Sequence, residues 1–239
     1  METYKMYIDG QFVESDNGDR YDSINPFNGE VIGSIPLGGV TDVQKAVSAA
    51  RRAFDEGPWP HMSGDERSEL IGKAAALLKD RMKDYAKIES LDSGGTINKT
   101  GADAFLASRQ LSFFADQAKR FNREHEPIEG MMREGRSFNY TIREPMGVCA
   151  QIIPWNFPYM MAIWKLGPDL ATGNTVVLKP ASGTPVMALE LAKVFDEVGV
   201  PEGGVNIFTG PGGSIGNAMT GHPDVDKVAF TCSTEVGRD

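Results

Sequence analysis

The second half of the chain alternates short apolar segments with helical ones, and this alternation restricts the possible folds more than any other feature. Four apolar segments predict β-strands, and three intervening segments predict helices. The strands are expected at 147–153, 174–178, 204–208 and 227–231, and the helices near 158–171, 185–198 and 213–220. Uninterrupted apolar strands belong to a sheet covered on both faces, and right-handed crossovers make such a sheet parallel. The pattern predicts an α/β fold with a doubly wound parallel sheet.

The N-terminal segment predicts a hairpin followed by a helix. Residues 4–13 contain two short strand patterns around Asp9 and Gly10, a pair that tolerates the positive φ angles of a tight turn. The first helix is expected to have Thr41 as its N-cap, to place apolar residues at helical spacing, and to stop at Gly57. We therefore expect an opening β-hairpin and then a helix from about residue 41.

Two further helices are expected before residue 125. Ser63 and Glu66 form a capping box at the start of a long helix, for which a bend is allowed. Its apolar stripe continues to the glycine pair at 94 and 95. A third helical stretch runs from about Ala102 to Phe121. We interpret these helices as packing elements and assign them no chemistry.

Residues 126–146 differ in character from the helices on either side. Glycines and prolines interrupt the segment, and its apolar residues alternate with polar ones, which is typical of exposed strands. Uncapped strand edges invite pairing with another chain. Composition alone leaves two interpretations open: a subunit interface or an ordinary surface hairpin.

Charge and cysteine content exclude several classes of protein. The net charge of −9 comes from dispersed carboxylates, and no run of Lys or Arg offers a surface for nucleic acid. Two distant cysteines form no disulfide framework, and the three histidines lack metal-ligand spacing. The most apolar stretch, 159–164, is far shorter than the roughly 20 residues of a membrane span. We expect a soluble, cytoplasmic protein without metal, nucleic acid or membrane partners.

Ligands of doubly wound sheets bind beyond the carboxyl ends of the strands, so the residues after each strand carry the functional hypotheses. The first strand is followed by Pro154-Trp155-Asn156-Phe157-Pro158, in which two prolines restrict the backbone around an amide. A rigidly held amide N–H can donate to an oxygen that gains negative charge. The alternative is that Asn156 is a plain turn residue.

The other strand ends are also polar or rich in glycine. Lys179 and Ser182 follow the second strand and could hold a ribose, although a solvated lysine is equally compatible with the pattern. The loop at 209–216 enters a helix whose N-terminus can attract a pyrophosphate, but it misses the G-x-G-x-x-G spacing by one residue. After the fourth strand, Ser233 could cap a further helix.

Four motifs together resemble the aldehyde dehydrogenase superfamily in order and spacing. They are PWNFP at 154–158, WKLGPDLATGN at 164–174, KPAS at 179–182 and FTCSTEVG at 230–237. The resemblance implies an N-terminal arm and helical part at 1–125, an oligomerisation hairpin at 126–146 and a Rossmann-like NAD-binding part at 147–239. It also implies an aldehyde substrate and a homo-oligomeric full-length form. NAD is the expected cofactor, and NADP remains possible because Ser182 is not a carboxylate that would repel a 2′-phosphate.

The resemblance also implies roles for individual residues. Asn156 would stabilise the oxyanion of a thiohemiacetal, and Lys165 matches a lysine described in relatives as part of a charge relay. A structural ion pair is the alternative for Lys165. The residues implied to contact the cofactor are Ile152, Ile153, Pro154, Trp155, Lys179, Ala181, Ser182, Gly212, Gly216, Phe230, Thr231, Ser233 and Val236.

The two cysteines are interpreted differently. Cys232 stands where the family pattern has glycine, so its Cβ is expected to crowd the cofactor and to weaken or shift nucleotide binding. A nucleophilic role for Cys232 is the alternative, although the sequence supplies no base for it. Cys149 lies inside an apolar strand and is expected to be a buried core thiol.

The implied activity is oxidation of an aldehyde to a carboxylic acid with NAD(P). In the family a cysteine thiolate attacks the aldehyde and a glutamate activates water, and both follow an E-L-G-G-K type motif. Because that motif does not occur before Asp239, we expect the chain to be the front part of such an enzyme, truncated before the catalytic domain and prone to aggregate alone. The alternatives are a non-catalytic nucleotide-binding or assembly module, and acyl-CoA formation from a semialdehyde.

Overall fold

A six-stranded sheet runs through the chain in a computed structural model, which describes residues 2–121, 128–129, 138–139 and 141–238. Across the sheet the strands are β11 (Lys227–Phe230), β8 (Val148–Ile152), β9 (Thr175–Lys179), β10 (Val205–Ile207), β2 (Met6–Ile8) and β3 (Gln11–Val13). The first four are parallel, which confirms the predicted βαβ series. The hairpin β2–β3 extends the sheet beyond β10, with β2 antiparallel to β10 and β3 antiparallel to β2.

Helices cover both faces of this sheet. They are α1 (Val40–Asp55), α2 (Gly64–Asp80), α3 (Met82–Ser93), α4 (Ile97–Ala118), α5 (Pro158–Ala171), α6 (Val186–Glu197) and α7 (Gly212–Thr220). One hydrophobic cluster contains residues of α1 and α7 together with Val148 and Val177. A second cluster contains residues of α2, α3, α4, α5 and α6 together with Cys149 and Val176, the neighbours of Val148 and Val177 along the same strands. Successive side chains of one strand therefore enter different cores, which confirms the doubly wound architecture.

The predicted N-terminal hairpin is confirmed, but its position in the sheet was not predicted. Asp9 and Gly10 form the turn with φ angles of 55° and 72°. Tyr7 pairs with Ile207, and the Asp9 N–H donates to the Asn206 Oδ1 at 3.0 Å. The hairpin is therefore part of the six-stranded sheet.

A small second sheet precedes the first helix and was missed by the sequence analysis. It contains β1 (Glu2–Thr3), β5 (Val31–Pro36) and β4 (Arg20–Ile24), in that order. The Arg20 guanidinium donates to the carbonyl oxygens of Tyr4 and Ser34, each at 2.7 Å. Arg20 thus connects backbone segments that are distant in the sequence, and no local pattern predicts such a contact.

Two predicted helix starts were wrong, and the long helix, for which the sequence analysis allows a bend, is interrupted once. Thr41 is not the N-cap of α1, because Gly39 occupies that position and the Asp42 carboxylate accepts the Gly39 N–H at 2.9 Å. The predicted long helix divides into α2 and α3 at Arg81, whose guanidinium pairs with Glu197 of α6 at 2.6 Å. Helix α4 begins at Ile97, five residues before the predicted start, because Thr96 caps it.

Most of the predicted oligomerisation hairpin at 126–146 lies outside the described residues. Within it, β6 (Ile128–Glu129) pairs antiparallel with β7 (Phe138–Asn139). These two short strands agree with extended chain in this segment. Its role in assembly stays a prediction.

No helix in the described ranges is long and apolar enough to cross a lipid bilayer.

Candidate functional site

Three neighbouring strands bring the predicted site segments to one edge of the sheet. Ile152 pairs with Phe230 on one side and with Lys179 on the other. Beyond this row, the Ile153 N–H donates to the Lys179 carbonyl and the Thr231 N–H to the Ile152 carbonyl, each at 3.2 Å. The segments that follow β8, β9 and β11 are therefore held side by side by backbone hydrogen bonds.

The first segment exposes the amide that the sequence singled out. Ile153 is buried and Pro154 is half-buried, whereas the Trp155 side chain is 66% exposed and Asn156 is exposed. Within the described residues no hydrogen bond engages the Asn156 side chain. A free amide at the surface of the sheet edge is available to a ligand.

The second segment places a buried cation at the same edge. Lys179 is 3% exposed, and its Nζ donates to the Pro180 carbonyl at 2.9 Å. Burial lowers the pKa of Lys179 to about 8. An ammonium group has three donors, so this interaction leaves capacity for a further acceptor. A buried cation without a carboxylate partner among the described residues is a suitable contact for a hydroxyl or an anion.

The next loop couples two strand ends. The half-buried Ser182 donates its hydroxyl to the Gly210 carbonyl at 2.8 Å, while the adjacent Ala181 is half-buried. The Ser182 oxygen can still accept a hydrogen bond from a ribose hydroxyl. In the described structure this serine therefore ties the β9 loop to the β10 loop.

The glycine-rich loop leaves an open face at the N-terminus of α7. At Gly210 a Cβ would lie 2.5 Å from the Gly38 carbonyl oxygen, so packing within the chain requires glycine there. At Gly212, Gly213 and Gly216 a Cβ would meet nothing within 4 Å. Packing within the chain does not explain these three glycines. An open glycine face beside the N–H groups of a helix start fits the close approach of a pyrophosphate.

The segment after β11 forms a turn at the position where Ser233 is predicted to cap a further helix. The Ser233 hydroxyl accepts the Val236 N–H at 3.4 Å, and the Ser233 carbonyl accepts the Gly237 N–H at 3.1 Å. Phe230 and Val236 are exposed, and Thr231 is half-buried. Ser233 thus acts in a capping geometry, and the apolar side chains beside it are free to contact a ligand.

The aspartate one helical turn beyond Lys165 pairs with a different lysine. Asp169, four residues further along α5, pairs with Lys227 of β11 at 2.6 Å and also accepts the Gln151 amide at 2.7 Å. Lys165 is half-buried. Burial lowers its pKa, although the negative charge of Asp169 acts in the opposite direction. Lys227 of β11 reaches Asp169 of α5 in the folded chain. The spacing of residues along α5 alone does not reveal this contact.

The two cysteines differ sharply in environment. Cys149 is fully buried, and burial raises the pKa of its thiol to about 12. The prediction of a buried core thiol is confirmed. Cys232 is exposed, and its Sγ lies 3.3 Å from the position of a Cβ on Gly237.

Two buried carboxylates of α3 were missed entirely. Glu89 accepts the Tyr159 N–H at the start of α5 at 3.3 Å, and Asp92 accepts the Val186 N–H at the start of α6 at 3.0 Å. Both are almost inaccessible to solvent. Their signal in the sequence is a pair of acidic residues three positions apart on the apolar stripe of a helix. Acidic residues on such a stripe become buried, and a buried carboxylate needs a specific partner.

The comparison with known proteins identifies one family. The model of the aldehyde dehydrogenase family matches residues 12–239. Aldehyde dehydrogenase family 2 member C4 of Arabidopsis thaliana is 44% identical over 234 residues, which are 98% of this chain and 46% of the relative. Betaine aldehyde dehydrogenase of Bacillus subtilis is 39% identical over 98% of this chain and 47% of its own length. The chain thus spans about half the length of the curated relatives it matches.

Solved structures agree with this result. An NAD-dependent aldehyde dehydrogenase from Sinorhizobium meliloti superposes with a TM-score of 0.95 at 39% identity, covering 99% of this chain and 46% of that one. Like the sequence relatives, that structure extends well beyond the part that this chain matches.

Proposed function

The chain belongs to the aldehyde dehydrogenase family, and we propose that it forms the nucleotide-binding part of an enzyme that oxidises an aldehyde to a carboxylic acid with NAD(P). The observation that carries the proposal is the combination, along one end of the sheet, of a buried lysine and an open glycine face. Each is unusual by itself and has no evident purpose in packing. Together they provide contacts for the two polar parts of a dinucleotide, a ribose and a pyrophosphate.

The proposed contacts follow from the described chemistry. Lys179 and Ser182 would bind the adenosine ribose, and Gly212 and Gly216 would admit the pyrophosphate to the start of α7. The remaining proposed contacts are Ile152, Ile153, Pro154, Trp155, Ala181, Phe230, Thr231, Ser233 and Val236. When bound, the nicotinamide accepts a hydride. We rank NAD above NADP and leave both open to test.

The reaction would use one group of this chain directly. The exposed Asn156 amide would donate a hydrogen bond to the oxygen of the aldehyde as negative charge develops on it. Neither cysteine is well suited to attack the aldehyde, since Cys149 is buried with a raised pKa and no base is assigned to Cys232. We therefore propose that neither of these cysteines supplies the attacking thiol.

We also propose that residues 126–146 mediate homo-oligomerisation of the full-length form.

Calorimetric titration of the purified chain with NAD and NADP tests the nucleotide site. We expect saturable binding, and we expect Lys179→Met to weaken it at least tenfold, because the substitution removes the buried cation. Lys73→Met is the matched control, since Lys73 lies on α2 and pairs with Glu69 at 2.7 Å at the surface. A folded chain that binds neither nucleotide, or equal losses in both variants, would contradict the proposal.

A further inference from the structure

Helices α5 and α6 both begin directly after site segments, and neither supplies its own side-chain cap. Their N-cap residues, Phe157 and Pro185, make no side-chain capping hydrogen bond. The first N–H groups of a helix need acceptors, and negative charge is favoured there. Helix α3 supplies both acceptors through Glu89 and Asp92, as described above.

Two contacts from the helical layer hold residues that directly follow Asn156 in the sequence. The Lys99 Nζ lies 4.2 Å from the centre of the Phe157 ring, and Lys99 itself is paired with Asp103 at 2.6 Å. Two residues further along the chain, the Tyr159 N–H is held by Glu89 at 3.3 Å. Cation–π and charge-assisted contacts of this kind restrict the backbone that leads from Asn156 into α5.

Within the described residues the Glu89 side chain makes no second hydrogen bond. Its Oε2 has no hydrogen-bond partner in the described part of the chain, and the residue is 0% exposed. Placing a carboxylate out of contact with water is costly unless it makes a specific interaction. The contact with the start of α5 is the interaction that the structure shows.

We propose that Glu89 is a positioning residue for Asn156: its carboxylate holds the first turn of α5 through the Tyr159 N–H and thereby sets the direction of the Asn156 amide. The role of Asn156 in the reaction rests on the proposed function. The mechanical coupling from Glu89 to Asn156 does not, since it is a property of the chain without any ligand.

The groups around Glu89 make this coupling dependent on pH. Burial raises the pKa of Glu89 to about 7, the carboxylates of Asp103 and Asp92 raise it as well, and the Lys99 ammonium lowers it. The side chain of Tyr159 also faces the carboxylate and stays neutral in this range. The charged carboxylate is the stronger acceptor, so the hold on α5 strengthens as Glu89 loses its proton near neutral pH.

Nuclear magnetic resonance of the full chain without nucleotide tests the coupling. The backbone N–H of Tyr159 and the side-chain amide of Asn156, assigned with Asn156→Asp, are followed from pH 5.5 to 8.5. We expect both signals to titrate with one midpoint, and we expect Glu89→Gln to abolish both titrations. Asp92→Asn is the matched control, because its carboxylate contacts α6. It should keep both titrations with one common midpoint, which shifts slightly to lower pH because the Asp92 charge raises the pKa of Glu89.

Two results would overturn the proposal: Asn156 signals that do not follow Tyr159 in the parent chain, or titrations that persist in Glu89→Gln. If Glu89→Gln fails to fold, Lys99→Met replaces it. Removal of the Lys99 charge should raise the midpoints of both signals by the same amount, and unequal shifts would refute the coupling. Because no nucleotide is present, failure of the dinucleotide site leaves this test intact, and the calorimetric titration detects that failure separately.

Discussion

Lys179 is a cation in surroundings that disfavour its charge, and this conflict has a measurable consequence for binding. Burial lowers the pKa of Lys179 to about 8, so a growing fraction of the free chain carries a neutral amine above that pH. If the charged form binds the nucleotide, binding requires proton uptake there. We expect affinity to fall about tenfold between pH 7 and pH 9.

Calorimetric titrations at several pH values measure this dependence. Lys179→Met should bind weakly with a flat profile, because the titrating group has been removed. A parent chain with constant affinity from pH 7 to 9 would exclude Lys179 as the charged contact.

Cys232 stands where the resemblance to the family implies a glycine. We expect Cys232→Gly to tighten nucleotide binding about three- to tenfold, because it removes a Cβ from the segment that follows β11. Fluorescence of Trp155, whose side chain is exposed, reports the titration. Cys232→Ser keeps the Cβ and changes only the thiol. If serine improves binding as much as glycine does, crowding by the Cβ is not the cause.

At the scale of single elements, the cap of α1 corrects an error of the sequence analysis and can be checked directly. Asp42 is buried and accepts the N–H groups of Gly39 at 2.9 Å and Asp16 at 3.0 Å. Asp42→Ala should lower the free energy of unfolding by about 1–3 kcal/mol, because two donors lose their acceptor. Thr41→Ala, at the position predicted as the cap, should cost less than about 0.5 kcal/mol in urea denaturation. The reverse order would restore Thr41 as the cap.

The carboxylates of α3 make the stability of the chain dependent on pH in a defined direction. Burial raises the pKa of Glu89 from 4.5 to about 7, so the folded chain binds more protons than the unfolded chain between these values. Stability from this group therefore falls as pH rises from about 4.5 to 7 and is constant above. Asp92 acts in the same direction, with its pKa raised by burial from 3.8 to about 6.

Urea denaturation at pH 5 and pH 7.5 isolates the contribution of Glu89. The parent chain should lose roughly 2–3 kcal/mol more than Glu89→Gln between the two conditions. Equal pH dependence in the two proteins would mean that Glu89 titrates normally in the folded chain.

Elements with strong local patterns were predicted well, and elements that depend on distant contacts were not. Helices α5, α6 and α7 begin and end within one or two residues of the predicted bounds, because their apolar runs, glycines and prolines are local signals. The break between α2 and α3 has no such signal at Arg81, which pairs instead with Glu197 of α6.

The same distinction applies to the candidate site. Asn156, Lys179 and the glycine loop follow predicted strands, so the rule for parallel sheets placed them at one edge. Glu89 and Lys227 act across helix–helix and strand–helix contacts, and only the folded chain brings them to Tyr159 and Asp169. A resemblance to a family also says little about such supporting groups.

At the scale of the whole molecule, β11 is one of the two edge strands of the central sheet, and β3 is the other. Strand β11 pairs with β8, and within the described residues no strand covers its other side. Its Val228 is 43% exposed. Exposed apolar edge strands pair with other chains. We expect the isolated chain to self-associate with rising concentration.

Analytical ultracentrifugation with Val228→Lys tests this expectation. A charge on the edge strand should shift the association to higher concentration. Val31→Lys is the control, because Val31 is similarly exposed on β5, which lies between two strands of the small sheet. A parent chain that stays monodisperse and unfolds in one sharp cooperative transition would contradict self-association through β11.

The pairing of the N-terminal hairpin with β10 also sets an order of events during synthesis. The hydrogen bond from Asp9 to Asn206 joins residues 197 positions apart, so the hairpin β2–β3 has no further partner in the large sheet until β10 is made. At translation rates of about 5–20 residues per second, that interval is on the order of 10–40 s. During this time Met6 and Tyr7, both buried in the finished fold, are available to chaperones, and closure of the sheet is a late step in folding.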